Sequence, residues 1–308
     1  MTNLKYLRIP QYEVRKYPKD QLEKVQRLFT QAYQGRKMSL DVLHWRMEQN
    51  PCLKERATSL WEDDILVAYN ALTPGPAYLF GENIISAVSG TTMADEHYPG
   101  CSIQLFTECA NQNQDIGLII GFPNKNSYGI TVKYVGHHYV GDVAFWTSTP
   151  RKIKVSDKIS GFTCFTDEYE KISAKLSKDN DFIKKREKEY LNWRFFKHPY
   201  IEYKAYEYEK RGYIVVDIYR EENMKQLQII DIISESEDVM KELLNYAINL
   251  AHEWSCNCVK LWLTSEKYKH VLVSSGFVYG EHPFKMTVWD GDLDISKSYI
   301  TMADSDNF

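Results

Sequence analysis

The chain lacks any apolar run approaching the about 18 residues that cross a bilayer as a helix. The segment from Met1 to Tyr17 also lacks the apolar core of a secretory signal. Both absences favour a cytoplasmic protein without membrane insertion. A basic excess is missing too: 38 Lys and Arg stand against 42 Asp and Glu, for a formal net charge of -4. That balance argues against nucleic acid as a partner, because such surfaces cluster Lys and Arg. Cysteine is scarce at 6. Only Cys256 and Cys258 lie close together, and no second pair completes a zinc site. Residues two apart on a strand share a face, but the apolar surroundings favour buried, reduced thiols. His137 and His138 are neighbours on a strand and face opposite ways, so they are no metal pair. No metal is expected.

What is present suits a globular chain. Hydrophobic residues make up 44% and charged residues 26%, and the 22 Tyr, 13 Phe and 7 Trp should dominate the core. A length of 308 residues fits two domains better than one.

Self-similarity supports that division. Leu43-His-Trp-Arg-Met-Glu-Gln-Asn-Pro51 recurs as Leu191-Asn-Trp-Arg-Phe-Phe-Lys-His-Pro199. Each copy is followed by antiparallel-looking strands, over residues 57–93 with a turn expected at Pro74-Gly-Pro76, and over residues 203–234 with breaks near Lys210-Arg-Gly212 and Glu221-Glu-Asn223. A helical stripe comes next, Ile103, Leu105, Phe106, Cys109 and Ala110 in one half, and Val239, Leu243, Leu244, Ala247, Ile248 and Ala251 in the other. Apolar strands follow at Ile116 to Phe122 and at Cys258 to Leu263. Each half then closes with a short helix ending at Gly136 or Gly276. Pro150 and the charged residues after it break the pattern, which places domains at 1–150 and 151–308.

This order of helices, antiparallel strands, glycine loop, helix, strand and Gly-aromatic turn resembles the GNAT N-acyltransferase superfamily. The specific likeness is to its tandem bacterial members of polysaccharide-biosynthesis type. It rests on the paired Trp-Arg motifs, on Gly121-Phe-Pro-Asn-Lys-Asn-Ser127, and on the tail Tyr299-Ile-Thr-Met-Ala-Asp-Ser-Asp-Asn-Phe308, with Ala303 where Gly is usual. The resemblance implies an α/β fold of two units, each a central mixed sheet flanked by helices. It implies acetyl-CoA as co-substrate and a small amine, such as an amino sugar, as acceptor.

The superfamily holds the CoA pyrophosphate at a helix N-terminus, where free N–H groups and the positive dipole end attract anions. Thr91 to Ile103 occupies that place in the first half. The resemblance assigns Gly100, Cys101, Ser102 and Ile103 to the phosphate loop, with His97 where Arg or Gln is usual. A His is mostly neutral at pH 7, which would weaken phosphate binding. Met93, Ala94 and Asp95 are expected to supply oxyanion N–H groups, and Asn126 and Ser127 to reach the pantetheine or thiol. The matching loop of the second half, Ser234 to Val239, has no glycine and carries Glu235, Glu237 and Asp238, which fill the anion site themselves. Only the first half should bind cofactor.

For the proton taken up by the CoA thiolate, the resemblance points four residues before Gly136, to Val132, which cannot donate. Tyr128 lies one helical turn earlier on the same face and Tyr134 about 200° away, so Tyr128 is the candidate catalytic acid. Two other readings stand beside an acetyltransferase acting by direct amine attack. One is a Fem-like aminoacyltransferase using aminoacyl-tRNA, disfavoured by the acidic balance. The other is a non-catalytic GNAT-like binding module.

Overall fold

The computed structural model describes residues 11–222, 224–280, 284–289 and 291–306. Its elements in chain order begin with strand β1 (Glu13–Arg15) and helices α1 (Leu22–Ala32) and α2 (Leu40–Glu48). Strands β2 (Ala57–Glu62), β3 (Ile65–Leu79) and β4 (Glu82–Ala94) lead to helix α3 (Cys101–Gln112). Strand β5 (Leu118–Gly121), helix α4 (Lys125–Ile130), and strands β6 (His137–Val143) and β7 (Trp146–Ser148) complete the first half. The second half opens with β8 (Ile159–Phe162), α5 (Glu168–Leu176), β9 (Phe182–Lys184) and α6 (Lys188–Leu191). It continues with β10 (Lys204–Tyr208), β11 (Gly212–Glu221), β12 (Met224–Ser234) and α7 (Glu237–Glu253). Last come β13 (Cys258–Leu261), α8 (Lys269–Ser274), β14 (Val278–Tyr279), β15 (Phe284–Trp289) and β16 (Ser298–Tyr299).

Two mixed sheets result. The first has the order β1-β2-β3-β4-β5-β15-β6, with β9 and β16 added beside the far end of β3. The second has the order β14-β7-β13-β12-β11-β10-β8. Each contains an antiparallel run ending in a parallel pair, β4 with β5 and β12 with β13. Beyond each parallel pair lies a strand from the other half of the chain: β15 pairs with β5 and β6, and β7 pairs with β13 and β14. The halves exchange strands.

The helices form where the apolar stripes lie. Helix α3 buries Cys101, Leu105, Phe106, Cys109 and Ala110, and α7 buries a broader face that includes Val239, Leu243, Leu244, Ala247 and Ile248. Strand β5 is buried along all four residues, as a parallel-paired strand covered on both faces should be. Gly136 and Gly276 end their helices with φ of 85°, a left-handed cap that glycine adopts without a side-chain clash.

The expected turn at Pro74-Gly-Pro76 is absent, because β3 runs straight through it to a turn at Phe80 and Gly81, with φ of 50° and 80°. Pro74 and Pro76 lie where neither β2 nor β9 pairs with this edge of β3. Their carbonyls accept instead from Asn50 Nδ2 at 2.9 Å and from Lys185 N–H at 2.8 Å. The N–H groups that proline lacks are missed by no ladder partner there.

Trp45 on α2 and Trp193, just beyond α6, stack with ring centroids 4.6 Å apart and 16° between planes. The sequence repeat thus meets itself in the core, with Tyr190 completing the cluster.

The tail after β16 is locked inside. Arg186 makes a bidentate ion pair with Asp231, both contacts 2.9 Å. Thr301 Oγ1 donates to Asp231 at 2.9 Å, and Thr301 N–H donates to the Asp304 carboxylate at 2.8 Å. All four side chains are buried. Among the described residues no helix is long and apolar enough to cross a membrane, and no cluster of His, Cys, Asp and Glu could hold a metal ion.

Candidate active site

The site arises where β4 and β5 part. Their parallel pairing runs from Ser86 with Leu118 to Ser89 with Gly121 and stops there, while β4 continues to Ala94. At the same level the β3–β4 register slips between Tyr69 and Ala71. Thr91 sits in the bulge at φ 50°, a conformation that a β-branched residue adopts only when its surroundings impose it. Two partners do so. Arg46 Nη1 donates to Thr91 Oγ1 at 2.5 Å, and Thr91 N–H donates to Asp306 Oδ2 at 3.1 Å. Asn70 staples the bulge from β3, its Nδ2 donating to Ser89 Oγ at 3.1 Å and Thr92 Oγ1 at 2.6 Å.

A cavity of about 190 Å³ fills the gap between the strands, lined by Gly90, Thr91, Thr92, Gly121, Phe122 and Asn124 among others. Neither glycine puts a side chain into it. A second cavity of about 660 Å³ lies between the two sheets, bordered by Arg46, Arg194, Asp217, Gln228 and Lys260. Its walls mix apolar side chains such as Trp45, Phe145 and Phe284 with polar ones: Gln226 and Gln228 are buried, and the buried Thr73 hydroxyl has no hydrogen-bond partner within the protein. Burial pushes the Asp217 carboxyl above its ordinary value and the Arg46 guanidinium below its own, the latter partly offset by the Asp306 carboxylate. Asp306 borders both cavities.

Of the expected site residues, Met93 is buried against α1 and α2. Met93 and Ala94 pair with Tyr69 and Ala68, and the Asp95 N–H is taken by the Val67 carbonyl at 2.9 Å. The N–H that turns away from the ladder belongs to Thr91, three residues before the end of β4. Sequence reasoning missed it because a bulge depends on the register with β3. It also missed Asn70 and Arg46, although an Asn within the apolar run Leu66 to Leu72 is a signal, since a buried amide needs partners.

Gly100 opens α3 with φ 82°, no side-chain cap and no acid in the first turn. Ser102 and Ile103 are half-buried beside it, whereas the Cys101 side chain turns into the core with Leu60 and Val67. His97 is exposed, and its Nδ1 lies 2.7 Å from Asp95 Oδ1. That hydrogen bond and the charge of Asp95 raise the imidazole above its ordinary value, shifting it from the mostly neutral state expected towards the cation. Helix α7 differs: Ser236 caps it by accepting from Val239 N–H at 3.4 Å, and Glu237 and Asp238 occupy its first turn.

Asn124 caps α4 by accepting from the N–H groups of Asn126 and Ser127 at 2.9 and 3.0 Å. Ser127 reaches the cavity lining and Asn126 is exposed. The Tyr128 ring packs edge-on against Tyr139, centroids 6.2 Å apart, under the Lys285 ammonium. Residues 131–135 form a π-helical turn, so regular α spacing does not carry from Tyr128 to Gly136. His137 lies in the cavity wall, its Nδ1 3.3 Å from Thr287 Oγ1, and burial lowers it to about 4.

The sequence matches no protein-family model and no curated protein. Solved structures do resemble it. A GCN5-related N-acetyltransferase from Anabaena variabilis superposes with TM-score 0.70 at 12% identity, covering 90% of this chain and 72% of that one. A probable N-acyltransferase from Enterococcus faecalis gives TM-score 0.64 at 15% identity, over 93% and 74%. Saccharomyces cerevisiae N-myristoyltransferase, with bound myristoyl-CoA and inhibitors, gives 0.61 at 12%, over 97% and 87%. With its two mixed sheets flanked by helices, the chain has the GNAT fold.

Proposed function

We propose that this protein transfers an acyl group, acetyl in the first instance, from acyl-CoA to the amine of a small acceptor such as an amino sugar. The observation that carries the reading is the parting of β4 from β5 beside the strained Thr91. The gap between the parted strands gives a thioester a groove to lie in. Glycines 90 and 121 leave room for the pantetheine arm, and the Gly100 end of α3, with no side-chain cap and no first-turn acid, suits a pyrophosphate. The acidic, Ser-capped start of α7 repels one, so we assign a single cofactor site per chain. The acceptor then enters through the larger cavity, whose mixed polar and aromatic wall suits a hydroxyl-bearing amine. The neighbours named as acetyltransferases, and the yeast enzyme seen with myristoyl-CoA, support an acyl-CoA donor. On this reading the two sheets descend from one duplicated unit, and the reciprocal place of the Trp-Arg motifs supports it.

Isothermal calorimetry with acetyl-CoA tests the reading. Saturable binding of one molecule per chain is expected; no binding of acetyl-CoA or a longer acyl-CoA would remove it.

A further inference from the structure

Asp306 joins the two cavities, yet it comes from the C-terminal tail, far in sequence from the strands that form the site. Its carboxylate is so close to the β4 backbone that a Cβ on Gly90 would fall 1.9 Å from Oδ2. Gly90 therefore permits the approach, because a side chain there would displace the Asp306 carboxylate. The Thr91 N–H fixes the carboxylate from one side. Arg46, Tyr33 and Asp306 border a third opening of the same region, and the Tyr33 hydroxyl donates to the Thr92 carbonyl at 3.0 Å. Upstream, the buried Arg186, Asp231, Thr301 and Asp304 hold the tail in place. The two acids of the tail thus divide the work, with Asp304 as anchor and Asp306 at the meeting point of donor groove and acceptor cavity.

We infer that Asp306 is the general base of the acyl transfer, an inference that rests on the reading above. A free amine is mostly protonated near neutral pH and cannot attack until it loses a proton. An acceptor R–NH₃⁺ in the larger cavity gives that proton to the Asp306 carboxylate. The neutral nitrogen then attacks the thioester carbon, the C–N bond forms, and the C–S bond breaks with its electron pair leaving on sulfur. The amide nitrogen loses its second proton, the thiolate takes one up, and Asp306 releases the other to solvent. The sum is R–NH₃⁺ plus acyl-CoA giving the amide, CoA thiol and one proton. Arg46 and Thr91 act as positioning residues, since they hold the strand and the carboxylate rather than the reacting atoms.

The test compares wild type with Asp306→Asn and Asp306→Glu. Thiol release from acetyl-CoA is followed with a panel of primary amines, including glucosamine and alkyl diamines, and with hydroxylamine, which is already neutral at pH 7. Asp306→Asn should bind acetyl-CoA within about threefold of wild type by calorimetry, yet lose about a hundredfold in kcat with protonated amines, within the usual range for a general base. The loss should be much smaller with hydroxylamine, and Asp306→Glu should recover part of the rate. The rate of the Asn variant should follow only the ionisation of the acceptor. Equal turnover by Asp306→Asn and wild type, or equal losses with both kinds of amine, would overturn the role of Asp306 alone. No thiol release by wild type with any amine of the panel would instead overturn the transferase reading and the base with it.

Discussion

Trp45 and Trp193 hydrogen-bond each other reciprocally: each indole Nε1 donates to the other's backbone carbonyl, both at 3.0 Å. Such exchange of identical contacts is what a two-fold relation between similar elements produces. It also buries the two polar indole edges at no loss of hydrogen bonding. Replacing either Trp by Ala should cost about 3–5 kcal/mol of stability, the range for deleting a large aromatic from a core. The double variant should cost less than the sum, with a coupling of about 1 kcal/mol or more for residues in direct contact. Strictly additive losses in denaturant unfolding would show that the stacking and paired bonds contribute nothing jointly.

At the start of α3, Gly100→Glu should abolish acetyl-CoA binding by placing a negative side chain at the uncapped N-terminus. The left-handed backbone there adds a stability cost of about 1–2 kcal/mol. Gly100→Asn separates the two effects, because Asn tolerates this conformation and carries no charge. Calorimetry should find binding weakened but measurable in the Asn variant. Unchanged affinity in Gly100→Glu would move the pyrophosphate elsewhere.

Tyr128 invites a direct kinetic measurement. As donor of the thiolate's proton it would be worth tenfold or more in kcat. Its ring, however, packs on Tyr139 and Lys285, contacts that Phe can keep. Tyr128→Phe is therefore expected to keep the fold and acetyl-CoA affinity and to lower kcat about tenfold or more. Full activity in Tyr128→Phe would move the role to water or another residue.

His137 ties stability to pH. Burial lowers its imidazole to about 4, against about 6.5 in the unfolded chain. Between those values the unfolded state binds more protons, so stability is full above about 6.5 and falls as pH drops towards 4. The linkage amounts to about 2 kcal/mol between pH 7 and 5. His137→Gln, neutral throughout, should lose less stability than wild type over that interval in urea unfolding. Parallel pH curves would mean that the imidazole is not held neutral.

The sequence by itself determined the local elements. The apolar stripe from Ile103 to Ala110 and the longer one from Val239 to Ala251 form helices because their spacing buries one face. Gly136 and Gly276 end helices because a left-handed residue is needed there. The four-residue apolar stretch of β5 forms a strand buried on both faces. The first-turn acids of α7 were equally legible, being a matter of local charge. Tertiary structure alone decided what depends on pairing across long separations. A division at Pro150 reads naturally along the chain, yet β7 lies in the second sheet and β15 in the first, because strand partners are chosen by hydrogen bonds that periodicity does not encode. Pro74 and Pro76 look like a turn in sequence and lie within a strand, because the edge they face has no neighbour there. The bulge at Thr91 exists only through a register slip against β3, and Asp306 reaches it only because a buried ion pair at Arg186 and Asp231 anchors the tail between the sheets.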